Sequence, residues 1–205
     1  MAADARPDES RHRRPAALTP RARGIEERPE GLVYRPELLT IDEERALLDE
    51  IEALRFDEIV MHGVAARRTA RHFGVDYDYE RRSPVAASEP IPTWLASARE
   101  AAAHLAGLQA DELVEALVQR YPEGATIGWH RDAPAFGTVV GISLLAPARL
   151  RFRRDLKGER YAYELEVEPR SGYVLAGPAR TAWKHHVPPT KSLRYSITFR
   201  TLRAR

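Results

Sequence analysis

The triplet His130-Arg131-Asp132 carries the first chemical signal in the chain. Residues i and i+2 of a strand project from one face, so an imidazole and a carboxylate converge there on one point. A histidine from a distant strand completes a two-histidine, one-carboxylate set. Such a set leaves positions on Fe(II) open for a bidentate cosubstrate and for dioxygen. The candidates for the distant ligand are His185 and His186, in the strand-like stretch after Gly177-Pro178. Taken alone, His-x-Asp also describes a surface histidine beside a solvated aspartate.

The second signal is Arg194-Tyr195-Ser196-Ile197-Thr198-Phe199-Arg200. On a strand, positions 194, 196, 198 and 200 share one face, and apolar Tyr195, Ile197 and Phe199 share the other. Two guanidinium groups on one face suit a dicarboxylate. One clamps the far carboxylate in bidentate fashion, and the other holds the end that chelates the metal. An inward polar face needs a polar occupant.

The elements that must position these groups are legible in outline. Thr40 followed by Glu43 is a capping-box signature, and Leu47, Leu48, Ile51 and Leu54 mark one helical face, predicting a helix over 41–54. A second helix is expected from Trp94 to about Leu105, stopped near Gly107. After residue 112 the pattern turns to strands: 114–121, 126–131, 138–145, 150–152, 161–167, 173–176 and 193–202. Helices followed by short strands suggest an antiparallel sandwich or jelly roll, mainly β with flanking helices. Residues 59–92 mix short β-like pieces with Gly, Pro and charged groups and read as a loop-rich lid. Residues 1–30, rich in Arg, Pro and acids, read as a disordered tail before a domain spanning 31–205.

Composition narrows the chemistry. The chain has 205 residues, 43% of them hydrophobic, enough for one domain with a real core. The absence of cysteine excludes disulfides, thiolate zinc, iron–sulfur clusters and a cysteine nucleophile, so any metal rests on His, Asp or Glu. No apolar run approaches the ~18 residues of a membrane span, and no apolar segment follows the first arginines as in a secretory signal. The expected home is therefore the cytoplasm. The net charge of +2 hides three blocks: +3 over 1–25, −8 over 26–58 and +7 over 59–205. A polyanionic partner is compatible with that distribution, because local field matters more than total charge.

Taken together, Gln119-Arg120-Tyr121-Pro122-x-Gly124, His130-x-Asp132, Trp183-x-His185 and Arg194-x-Ser196-x-Thr198-Phe199-Arg200 resemble the AlkB family of Fe(II)/2-oxoglutarate dioxygenases. The resemblance covers roughly residues 32–202. It implies a double-stranded β-helix, with the jelly-roll core over 112–202. It implies Fe(II) held by His130, Asp132 and His185, with His186 as the alternate, and O2 as co-reactant. Arg194 would pair with the distal carboxylate of 2-oxoglutarate, helped by Tyr121, with Arg200 near the chelating end and Gln119 and Ser196 alongside. Gln119 and Ser196 stand where the family often has Asn. Pro134 stands where the bacterial repair prototype has a base-contacting Asp.

In the lid, Arg67-Arg68-x-x-Arg71-His72-Phe73-Gly74 and Tyr77-x-Tyr79 are similar to the family's nucleotide-recognition region. Arg67, Arg68, Tyr77 and Tyr79, together with Trp129, are candidate substrate contacts, since guanidinium groups meet phosphates and aromatic faces stack bases. The implied reaction is oxidative demethylation of N-alkylated bases in DNA or RNA, on a single-stranded or extruded base. The same chemistry on a protein side chain or small molecule is the alternative, and a non-catalytic metal-binding jelly roll the third reading. No membrane and no obligate protein partner are expected.

Overall fold

The computed structural model describes residues 25–61, 64–78, 83–87 and 89–203. In chain order the elements are β1 (Ile25–Glu26), β2 (Leu32–Arg35), α1 (Ile41–Glu52), β3 (Asp57–Met61), β4 (Val64–Asp78), β5 (Ser83–Ala86) and α2 (Ala96–Ala106). They continue with β6 (Glu115–Tyr121), β7 (Ile127–His130), β8 (Phe136–Leu144), β9 (Ala148–Leu156), β10 (Glu159–Val167), β11 (Gly172–Leu175), α3 (Gly177–Thr181), β12 (Lys184–Val187) and β13 (Arg194–Leu202).

The strands form two sheets, ordered β2-β11-β8-β13-β6-β4-β3, with β5 on β4, and β1-β10-β9-β12-β7. Both are antiparallel except for the β1–β10 pair. This is the expected mainly-β jelly roll. Strict period-two patterning builds it. On β13, Tyr195, Ile197 and Phe199 join Val118, Val140 and Ile142 in a core covered by Leu47 and Ile51 of α1 and Ala98 and Ala102 of α2. Both helices therefore lie on the outer face of the larger sheet. A second cluster joins the sheets from inside: Leu32, Val139 and Leu175 meet Leu150, Phe152, Val167 and Trp183.

The capping box holds as read: Thr40 Oγ1 accepts the Glu43 N–H, and the Glu43 carboxylate accepts the Thr40 N–H. Gly107, with φ +68°, closes α2. No helix among the described residues is long and apolar enough to cross a membrane.

Two expectations need correction. The ordered domain begins by Ile25, not residue 31, because β1 pairs with Tyr161–Ala162 of β10 and Glu27 takes Arg154 in an ion pair. The part of the expected tail over 1–24 lies outside the described residues. The lid over 59–92 is not mainly loop either. β4 runs for 15 residues, hydrogen-bonded to β3, β5 and β6. It reads as loop because it is polar on both faces: Arg71 pairs with Asp57 and Glu89 on one, while Arg68 and His72 occupy the other. At Gly74, φ +78°, β4 leaves β6 for β5, and a Cβ there would collide with the Val114 carbonyl.

Candidate metal and cosubstrate site

His130 ends β7 and His185 stands opposite it on β12, with ring centroids 4.1 Å apart. Asp132 follows in the turn to β8, and its Oδ2 lies 3.7 Å from His185 Nε2. That oxygen is buried and has no hydrogen-bond partner. The other, Oδ1, accepts from Arg200 Nε at 3.0 Å and Nη2 at 2.8 Å. His130 Nδ1 donates to the Gly128 carbonyl at 2.8 Å, which leaves the Nε2 lone pair free.

Period two puts the neighbouring histidines on opposite faces of β12. His185 is buried among the triad. His186 projects from the opposite face of β12, with Nδ1 2.7 Å from the Ile127 carbonyl and its ring 5.0 Å from Trp129. Burial pushes the His185 pKa down to about 3, against the pull of Asp132. Burial also lowers that of His130, opposed by the Gly128 carbonyl. Burial works to raise Asp132, but the charge of Arg200, with Arg180 behind it, outweighs it and holds the carboxyl well below its usual range. Two neutral imidazoles and a carboxylate therefore face one point with lone pairs available.

The inward face of β13 meets that of β6: Arg194 pairs with Tyr121, Ser196 with Gln119 and Arg200 with Glu115. Arg194 is 3% exposed, stacks over Tyr121 at 4.8 Å and donates to Ser143 Oγ at 3.0 Å. Its Nε is buried without a partner, and no carboxylate faces it among the described residues. Tyr121 donates its hydroxyl hydrogen to Gln119 Oε1. A buried cation with unmet hydrogen-bond capacity is costly unless an anion completes it.

Two residues that the sequence reading did not assign to the site support the His130, Asp132 and His185 cluster. Glu115 accepts from Arg200 Nη1 at 2.6 Å, so Arg200 bridges Glu115 and Asp132. Arg180 of α3 holds the turn carrying Asp132, donating from Nη2 to the carbonyls of Asp132, Ala133 and Phe136. Glu115 could have been found from its in-phase position with Gln119 and Tyr121. Arg180 gives no sequence signal, because its partners are main-chain groups. A second group, His72 with Asp76 and Glu115, has its ligand atoms within 4.8 Å of one another. His72 Nδ1 sits 3.1 Å from Asp76 and 3.2 Å from Glu115 and so buttresses Glu115 from the lid.

The family model for the 2OG-Fe(II) oxygenase superfamily matches residues 37–200. The chain belongs to the 2OG-Fe(II) oxygenase superfamily. The solved structure of OsALKBH1 shares the fold with a TM-score of 0.58 at 17% identity, covering 85% of this chain and 99% of that one. A 2OG-Fe(II) oxygenase family oxidoreductase from Burkholderia pseudomallei also gives 0.58, at 13% identity over 89% and 97%. A prolyl-4-hydroxylase from Pseudomonas putida gives 0.54, at 18% identity over 85% and 94%. No curated protein sequence matches the chain.

As a superfamily member the protein is a dioxygenase using Fe(II), 2-oxoglutarate and O2. The residues fit that cofactor set: an orphaned Asp132 oxygen beside two histidines for the iron, and an orphaned Arg194 nitrogen for a carboxylate. Bound together, iron and 2-oxoglutarate supply oxidation by dioxygen.

The expected substrate contacts divide. Arg68 of β4 is only 8% exposed, and its charge reaches His130. Arg67 is exposed, with Nη1 2.9 Å from where a Gly124 Cβ would stand. Tyr77 lies against Phe136, ring centroids 6.3 Å apart. Tyr79 falls outside the described residues. Trp129 does not face the His130, Asp132 and His185 cluster, because it alternates with His130 to the outer side of β7, where Arg153 stacks on it at 4.4 Å.

Proposed function

We propose that this oxygenase is AlkB-like and removes N-linked methyl groups from bases of single-stranded or extruded nucleic acid. Each turnover would consume 2-oxoglutarate and O2 and release formaldehyde, succinate and CO2. The fold is common to OsALKBH1 and a prolyl-4-hydroxylase alike, so the reading rests on one observation. A cleft of about 840 Å³ opens beside Asp132, lined among others by Arg131, Arg180, Arg203, Tyr77 and Phe136. Among the described residues its only acidic lining residue, Asp132, is already neutralised by Arg200. Arginines that meet phosphates beside aromatic faces that stack bases are the chemistry of single-strand recognition.

In this reading His130, Asp132 and His185 hold the iron. Arg194, Tyr121, Gln119 and Ser196 receive the distal carboxylate, and Arg200 fixes Asp132. Tyr77 and Phe136 flank the base, and Arg131 and Arg203 meet phosphates. Arg180 donates through Nη2 to main-chain carbonyls and keeps the turn in place. Pro134 in the cleft lining has no donor for a base edge, which favours a second reading, the same oxidation on a protein side chain or small molecule.

The test incubates iron-loaded protein with 2-oxoglutarate and a panel of methylated DNA and RNA oligonucleotides. Methyl loss by mass spectrometry, matched by succinate, is expected, and Arg131→Glu with Arg203→Glu should raise KM more than they lower kcat. Succinate release without methyl loss on any oligonucleotide transfers the assignment to the second reading.

A further inference from the structure

Tyr173 is not used by the site as built so far, yet it lies on the same inward surface. The registers of the larger sheet align Leu117, Thr198, Gly141, Tyr173 and Tyr34 across five adjacent strands. This row runs between the Arg194 level and the Arg200 level of β13. The Tyr173 ring leans over Gly141 toward β13. A Cβ at Gly141 would collide with Cζ and Oη of Tyr173, so only glycine leaves room for the phenol in this position. Within electrostatic reach of that phenol lie Tyr121 and Arg194 toward one end of the site, and Asp132 and Arg200 toward the other.

Burial keeps the Tyr173 hydroxyl protonated far above neutral pH, so it stands as a donor. Arg194, within electrostatic reach of that phenol, has its own unpartnered nitrogen.

We infer that Tyr173 determines cosubstrate specificity. Its hydroxyl donates to the distal carboxylate beside Tyr121 and Arg194. Its ring forms the wall along the middle of the 2-oxo dicarboxylate and limits the chain length that fits between Arg194 and the metal. Gly141 is the matching recess. The inference rests on the superfamily's cosubstrate and is independent of the nucleic-acid reading, since the test uses no substrate.

The experiment titrates 2-oxoglutarate, and separately 2-oxoadipate with one more methylene, into full-length protein loaded with redox-inert Mn(II), by calorimetry. Tyr173→Phe should weaken 2-oxoglutarate binding about tenfold, the loss of one hydrogen bond to a charged group, with Mn(II) affinity and urea midpoint unchanged. Tyr173→Ala should move the preference between the two acids about tenfold toward 2-oxoadipate. Gly141→Ala should weaken 2-oxoglutarate binding in the parent and add nothing in the Tyr173→Ala background, because the colliding ring is gone. Should Tyr173→Ala not fold, Tyr173→Phe still decides the hydroxyl and Gly141→Ala in the Tyr173→Phe background decides the ring: undiminished weakening there supports the wall. Unchanged 2-oxoglutarate affinity in Tyr173→Phe, or an unchanged preference in a folded Tyr173→Ala, overturns the assignment.

Discussion

Arg194 and Arg200 stand on the same face of the same strand and are both buried, but their surroundings are opposite. Arg200 is saturated: Nε and Nη2 grip Asp132 and Nη1 grips Glu115. Arg194 has Ser143 and the face of Tyr121, and its Nε has no partner. The electrostatics follow. Burial disfavours both charges, but Glu115 and Asp132 overcome it for Arg200, whose pKa rises, while that of Arg194 falls. A buried cation with two carboxylates is part of the framework, and one without a carboxylate has hydrogen-bond capacity left for an anion. One end of the site is internally compensated, and the other keeps an unpartnered guanidinium nitrogen.

Four measurements would break or sharpen this contrast. The largest effect is expected from Arg200→Met, which leaves Asp132 and Glu115 buried without their cation. It should cost about 3–5 kcal/mol in urea unfolding of metal-free protein; a loss below about 1 kcal/mol would remove the distinction. Arg194→Met should change that stability by no more than about 1 kcal/mol in either direction. Calorimetry should nevertheless show 2-oxoglutarate binding weakened on the order of a hundredfold, the size expected for a buried charge pair losing one member.

Next in size is the response to acid. An unfolded histidine titrates near pH 6.5, whereas buried His185 is pushed down to about 3. Between those values the unfolded chain binds a proton that the folded chain refuses, so stability falls as pH falls across that window, by about 1 kcal/mol per pH unit. Asp132 adds to the loss below about pH 4, because its depressed pKa stabilises the fold only above the unfolded value. A flat urea midpoint from pH 6.5 to 4.5 would contradict the burial of a neutral His185. The smallest effect is His72→Ala, which removes the lid-side support of Glu115 and should cost about 1 kcal/mol with Mn(II) affinity retained. A cost as large as that of Arg200→Met would place the lid inside the framework end.

How much of this was legible in the sequence depends on which neighbours a residue answers to. Tyr195, Ile197 and Phe199 alternating with Arg194, Ser196, Thr198 and Arg200 announced both a strand and its polar inner face. The β4 segment did not announce itself, because its polar residues answer to partners on two other strands and one loop. Trp129 was a candidate contact because an aromatic face can stack a base, yet on β7 it faces away from His130, since adjacent strand residues face opposite ways. The same rule, once β12 is in place, separates His185 from His186.

The sequence by itself determined the chemistry on offer: no thiolate, a His-x-Asp pair, two phased arginines and a family pattern around them. Periodicity is local, so it survives in one dimension. The tertiary structure alone decided which arginine is compensated, which histidine joins the triad, and that Tyr173 reaches across Gly141 into the same space. Those outcomes depend on strand register and on burial, which arise only when segments distant in the chain are brought within a few ångströms of one another.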